Sequence, residues 1–313
     1  MPELDASKPF RIGTRGSPLA VAQAHETRHL LSHAHGIPLD GFEIVTIKTT
    51  ADRVQDRLLK EIGGKGLFTK EIEEALLDNR IDIAVHCVKD MAVAEPDGLI
   101  TECFMKREDP RDAFIGAEVE SLDDLPQGAV VGSASLRRRA QMLNLRPDLQ
   151  MVNFRGSIQT RLQKLEDGVA SATLLAMAGL NRLGMQSLSR NPIPLDVMTP
   201  AVGQGALAVQ RRSNDDYAAT LIETLHHPET ERQMAAERSF LATLEGSCQT
   251  PIAGYAQIRG DRLHLRGEIL RPDGTEVLAT EGETCLSNAA EMGEDLARQL
   301  LGRAPADFFY WRT

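Results

Sequence analysis

Apolar and polar positions alternate along the chain in two βα-like blocks, followed by a third block of longer strands. Phe10–Gly13 reads as a short strand running straight into a helix. Ser17 is placed as its N-cap, Pro18 at its first turn, and Leu19, Ala22, Ala24, His25, Leu30 and Leu31 supply an apolar face. Phe42–Lys48 alternates as a strand, Thr69–Leu77 has helical spacing, and Ile81–Val88 (IDIAVHCV) has the continuous apolar character of a buried strand. The segment 102–111, rich in charge, reads as a linker. The rhythm then restarts with strands at 113–115 and 129–132, a helix capped by Ser135, a strand at 149–154, a helix carrying Thr160 and Arg161, and a strand at 171–176. Past a second linker at 226–228 come a long helix over 229–244, strands at 253–259, 262–270 and 275–281, and a closing helix over 288–301. Pro272-Asp273-Gly274 marks a hairpin turn.

This order predicts an α/β protein with two doubly wound domains and a small α+β domain at the end. A length of 313 residues allows two or three domains, and 42% hydrophobic with 26% charged residues is an ordinary globular composition. The first ten residues carry no basic, apolar leader, and the longest apolar stretch, 172–180, is too short to span a bilayer; the reading is a cytoplasmic protein without membrane attachment. Four cysteines, Cys87, Cys103, Cys248 and Cys285, stand far apart with no CxxC pair, which argues against a disulfide or zinc framework.

Charge alters the picture locally. A formal net charge of −10 excludes a general affinity for nucleic acid, yet residues 130–165 hold seven Lys or Arg against Asp148 alone, an excess of +6. Basic side chains recur where strands end and helices begin: Arg15, Lys89, Arg137, Arg138, Arg155, Arg161 and Arg182. Cations at helix N-termini oppose the helix dipole, so an anion between them is the expected cause. Ser17 and Ser135 cap two of these helices, Gly156 permits close approach, and Gln204 is flanked by glycines. These positions predict a cleft that holds a molecule with many carboxylates or phosphates. Asp90, following Lys89 at a strand's carboxyl end, reads as the lone acid among them, suited to stabilising a cation or moving a proton.

Two further stretches bear on chemistry. Lys65 lies among Gly63, Gly64 and Gly66 in a polar segment that reads as a mobile loop; the spacing is not that of a nucleotide-binding P-loop. Cys248 sits in Leu244–Ile252 (LEGSCQTPI), a polar connector closed by Pro251, which keeps a thiol reachable. From composition alone this cysteine is either an inert loop residue, a covalent anchor or a nucleophile.

The ordered motifs TRGSPLA, GGKGLFTKEIE, DIAVHCVKD, REDPRDAF, VGSASLRRR, FRGSIQTRL, AGLNRLG, PAVGQGAL and LEGSCQTPI resemble the porphobilinogen deaminase (hydroxymethylbilane synthase) family from Arg11 to about Gly254. The resemblance implies two domains like those of periplasmic binding proteins plus a small third one: 1–105 with 205–224, then 111–200, then 228–313. It implies an enzyme that joins four porphobilinogen molecules head to tail with loss of ammonia, and a dipyrromethane cofactor held through a thioether to Cys248. By the same resemblance Asp90 is catalytic. Lys89, Asp90, Ser135, Arg137, Arg138 and Arg161 hold the cofactor, and Arg15, Ser17, Lys65, Arg155, Arg182 and Gln204 meet the substrate. No metal is implied; a monomer is, with uroporphyrinogen III synthase acting downstream. Met91-Ala92 stands where the family usually has Val-Pro, Cys87 where it often has Ser, Ser157 where it often has Asn, and Glu61 where some members have a second lysine. A non-catalytic anion-binding protein of the same bilobal fold is the alternative.

Overall fold

The computed structural model describes residues 8–50, 68–189, 191–247 and 250–309. Two units pack within themselves: residues 1–108 with 206–231, and residues 109–205 with 232–313.

In the first unit, β1 (Phe10–Arg15) leads into α1 (Pro18–His35), then β2 (Phe42–Ile47), α2 (Lys70–Leu77), β3 (Ile83–Cys87) and β4 (Leu99–Phe104). Ser17 caps α1 as expected, its Oγ accepting from the Ala20 amide at 3.3 Å. The helix ends at Gly36 in the left-handed region, φ 64°, where a Cβ would be strained. In α2 the buried side chains Ile72, Ala75 and Leu76 recur at helical spacing and face the sheet.

Two segments fall differently from the sequence reading. Residues 102–104, assigned to a linker, complete β4, because Cys103 and Phe104 are buried against β9 (Leu207–Arg212). A helix after β9, Asp216–Glu223, which the apolar pattern did not reveal, is capped by Asp215 and buries Ala218, Leu221 and Ile222.

In the second unit, β5 (Asp112–Gly116) precedes β6 (Val130–Gly132), α3 (Leu136–Leu145), β7 (Gln150–Val152), α4 (Ile158–Glu166), β8 (Ala172–Ala176) and α5 (Met177–Arg182). With Asp216–Glu223 as α6, the chain ends through α7 (Pro228–Thr243), β10 (Ile252–Arg259), β11 (Arg262–Leu270), β12 (Val277–Cys285) and α8 (Ala289–Arg303).

There are three sheets among the described residues. The first runs β2-β1-β3-β9-β4, the second β5-β8-β6-β7, and the third β10-β11-β12. β1 pairs in parallel with β2 and β3, and β6 with β7 and β8, as crossover helices require. Neither large sheet is purely parallel. β9 runs antiparallel between β3 and β4 because it belongs to the segment that returns at 206, and β5 runs antiparallel to β8. The third sheet is antiparallel throughout, one face covered by α8 through Ala289, Met292, Leu296, Ala297 and Leu300. Phe240 of α7 fills that core, and Gly267 on β11 makes room for it: a Cβ there would lie 2.3 Å from the ring.

Candidate active site

Sheet order decides which side chains gather in the first unit. β1 and β3 are parallel neighbours in register from Ile12 with Ile83, so their carboxyl ends share one edge. Arg15 closes β1 there, and β3 passes into a single 3-10 turn, Val88–Asp90, that presents Lys89 and Asp90. The turn is tied down at both ends: the Val88 amide donates to the Ala206 carbonyl and the Met91 amide to the Val88 carbonyl, each at 3.1 Å. Met91 is buried there. The Arg15 guanidinium lies over the Phe68 ring, 4.7 Å from its centroid. Ser17 stands half-buried at the start of α1.

His86, on β3 four residues before Asp90, is buried. Burial pushes its imidazole down to about 4, with Gln210 and Asp90 favouring the charged form and Arg15 opposing it. Across the neutral range it is therefore an uncharged neighbour of Asp90. Cys87 faces the other way, donating to Gln23 of α1, so the two side chains lie on opposite faces as the strand period requires.

In the second unit the carboxyl ends of β6, β7 and β8 stand side by side for the same reason. After β6, Ser135 caps α3, its Oγ accepting from the Arg138 amide at 3.4 Å. After β7 come Arg155 and Gly156, the latter at φ 119°, a conformation side chains rarely adopt. Arg161 lies one turn into α4, its Nε donating to the Gly156 carbonyl at 3.2 Å. Arg182 ends α5 and donates to the Gly205 carbonyl at 3.3 Å.

The anion expected between the arginines of α3 is the protein's own. Asp112, 0% exposed at the start of β5, accepts from Arg137 Nη1 at 2.7 Å and Nη2 at 3.1 Å, and from Arg138 Nε at 2.9 Å. Burial alone would raise its carboxyl, but Arg137 and Arg138 outweigh that and hold it well below the usual carboxylate range. Asp90 is therefore not the lone acid among these cations. Asp90 is half-buried, and Asp112 is the enclosed one. Asp112 is masked in the sequence by the charged run REDPR that precedes it; its signal is an acid immediately ahead of the apolar Ala-Phe-Ile of a strand.

Gln204, placed against substrate by the sequence, is turned inward. At 1% exposure its Nε2 donates to the Pro110 carbonyl at 2.7 Å and to Asp112 Oδ1 at 3.0 Å. It therefore supports the Asp112 cluster. Lys65 and Cys248 lie outside the described residues; the residues flanking 248–249 are joined to each other, Ser247 N donating to Thr250 Oγ1 at 3.0 Å.

Positive charge remains in excess within this cluster, where Arg137, Arg138, Arg155, Arg161 and Arg182 stand against Asp112. One carboxylate serves Arg137 and Arg138. Burial brings Arg161 down to about 10, with Arg138 and Arg155 adding to the fall. Arg137 Nε is buried without a partner among the described residues. Such a set fits a ligand bearing several carboxylates. No group of His, Cys, Asp and Glu able to hold a metal occurs among the described residues. No helix among them is long and apolar enough to cross a membrane.

Comparison with known proteins agrees with this chemistry. The family model described as "Porphobilinogen deaminase, dipyromethane cofactor binding domain" matches residues 10–220, and "Porphobilinogen deaminase, C-terminal domain" matches 232–302. A porphobilinogen deaminase of Paracoccus denitrificans is 60% identical over 307 residues, covering 98% of each chain. One from Nitrobacter winogradskyi is 52% identical over 298 residues, covering 95% of this chain and 94% of its own. A TRAP periplasmic solute binding protein from Desulfovibrio salexigens aligns over 71% of this chain and 73% of its own with 11% identity and a TM-score of 0.42, a likeness too distant to carry weight.

Proposed function

Because the chain belongs to the porphobilinogen deaminase family, we propose that its two described clusters divide the work of that activity, with acid–base chemistry at Asp90 and carboxylate binding at the arginines. The observation that carries the division is the difference in surroundings. Asp112 is locked between two arginines, whereas Asp90 stands half-buried on a tied-down turn.

Porphobilinogen bears one acetate and one propionate, so each added unit brings two more negative charges. Arg15 and Ser17 in the first unit, and Arg155 and Arg182 in the second, are the residues proposed to bind substrate carboxylates, together with Lys65. Lys89, Ser135, Arg137, Arg138 and Arg161 are proposed to bind those of the dipyrromethane cofactor, with Cys248 as its thioether anchor. A hydrogen bond to a charged group contributes about 1.5 to 3 kcal/mol, so several together outweigh the cost of ordering a flexible polyanion.

When bound, the cofactor supplies the free pyrrole carbon to which the first substrate methylene is joined. Asp90 is proposed to stabilise the positive charge that develops as the substrate's amine leaves, and to pass on the proton lost from the ring carbon when the new bond forms. Each joining step forms one carbon–carbon bond and breaks one carbon–nitrogen bond, releasing ammonia. His86, uncharged beside Asp90, adds no competing cation there. Gln204 acts from behind, through Asp112 and Arg137.

The reading extends to a cytoplasmic monomer of three domains, 1–105 with 205–224, 111–200 and 228–313. Its linear product would pass to uroporphyrinogen III synthase. The test is incubation with porphobilinogen, oxidation, and uroporphyrin absorbance; an adduct-bearing protein that forms no porphyrin would contradict the reading.

A further inference from the structure

Glu268 lies on β11, on the face opposite the inward-pointing Leu263 and Leu265, where strand alternation assigns a solvated side chain. It is nonetheless 5% exposed. Its Oε1 accepts from Thr199 Oγ1 at 2.6 Å and from Arg266 Nε at 3.1 Å, and its Oε2 accepts from Gln141 Nε2 at 3.0 Å.

Gln141, on α3 one turn beyond Arg137, is the joint. Its Nε2 also donates to the Thr199 carbonyl at 3.0 Å, while its Oε1 accepts from Arg137 Nη1 at 3.0 Å. A carboxylate has no hydrogen to donate, so it takes only the NH2 end of the amide. The carbonyl end must then face the guanidinium. Flipping the amide would set donors against Arg137 and oxygen against oxygen at Glu268 and Thr199. Buried as it is, that arrangement leaves several polar groups unpaired.

We propose that Glu268 is a positioning residue for cofactor attachment: by fixing the amide of Gln141 it holds Arg137 in place, and so links the third sheet to the arginine pair. β11 is well placed for this. Glu268 pairs in register with Ala253 on β10, and β10 begins at Ile252, shortly after Cys248. The strand that carries the carboxylate is thus hydrogen-bonded to the one that leaves the anchoring loop. The inference rests on the reading that Arg137 holds cofactor carboxylates.

The test follows attachment itself. Full-length protein prepared without cofactor is incubated with porphobilinogen, and growth of the adduct is read by intact mass, with thermal unfolding measured alongside. Glu268→Gln keeps size and burial but lets either amide orientation stand. Adduct formation is expected to slow about tenfold, the scale of one hydrogen bond's net contribution. In a Gln141→Leu background, Glu268→Gln is expected to add no further slowing, because the link is already broken. A purely structural role for Glu268 would lower the unfolding temperature at unchanged rate, or slow the double variant by the product of both effects; either overturns the proposal. If Glu268→Gln does not fold, normal loading in Gln141→Leu alone overturns it. Arg137→Ala separates the two levels: normal loading there removes the reading of Arg137, whereas failed loading there with normal loading in Glu268→Gln overturns only the link.

Discussion

Asp112 and Arg137 form a closed pair, with Oδ2 to Nη1 at 2.7 Å and Oδ1 to Nη2 at 3.1 Å, and Arg138 shares the same carboxylate. Two guanidiniums on one buried carboxylate leave a net positive charge in the interior, held rigid before any ligand arrives. That is preorganisation: the arginines do not need to be ordered at the moment of binding.

Replacing Asp112 by Asn should be costly, since it leaves two enclosed cations without their counter-charge. The expected loss is about 3 kcal/mol, measured as a shift in urea midpoint. The pH dependence has a definite sign. The folded carboxyl is held below its ordinary value, so its contribution is complete above the unfolded value of about 3.9 and is lost as pH falls below it. The difference between wild type and Asp112→Asn should be constant from pH 5 to 7 and shrink below about pH 4.

His86 acts in the same direction over a higher window. Burial holds its imidazole at about 4 in the folded protein, against about 6.5 when unfolded. The unfolded chain therefore binds more protons between those values, and stability should fall by up to about 3 kcal/mol as pH drops from 6.5 to 4. Denaturant midpoints measured across that range should show the slope, and His86→Gln should remove most of it.

Ser135 separates local structure from ligand binding. Ser135→Ala loses the cap on the Arg138 amide and should cost about 1 kcal/mol in thermal unfolding. Ser135→Asp restores a cap but adds an anion at the start of α3, so stability should recover while cofactor loading, read by intact mass, should not. Loading at the wild-type level in either variant would contradict a binding role for this position.

Gly132 tests how packing positions Arg155. A Cβ there would lie 2.4 Å from the Phe154 ring, and Phe154 immediately precedes Arg155. Gly132→Ala should destabilise by about 1 to 3 kcal/mol. It should also raise the KM for porphobilinogen by moving the arginine, a change that steady-state kinetics would register separately from the unfolding temperature.

Much of this architecture was legible in the sequence because local chemistry and tertiary role coincide. Ser17-Pro18 both starts α1 and sits at the sheet edge, and IDIAVHCV is a buried strand that delivers Lys89 and Asp90 to that edge. What escaped detection depended on distant partners. β4 was hidden in a charged run because its burial comes from β9, a strand that returns a hundred residues later in the chain. Asp112 falls between the charged 102–111 segment and the strand read at 113–115, and its arginines lie on a later helix. Gln204 stands between glycines in the sequence, and its partners Pro110 and Asp112 lie far from it along the chain. Glu268 followed the solvent phase of its strand, and α3 covers it. In each case the side chain's environment is supplied by residues that no local window contains.

The division of labour between Asp90 and the arginine cluster is most directly tested by measuring adduct mass and turnover together in Asp90→Ala and Arg138→Ala. Asp90→Ala is expected to carry the dipyrromethane adduct and form almost no uroporphyrin, and Arg138→Ala to lack the adduct altogether. Substantial turnover in Asp90→Ala, or a fully loaded Arg138→Ala, would contradict it.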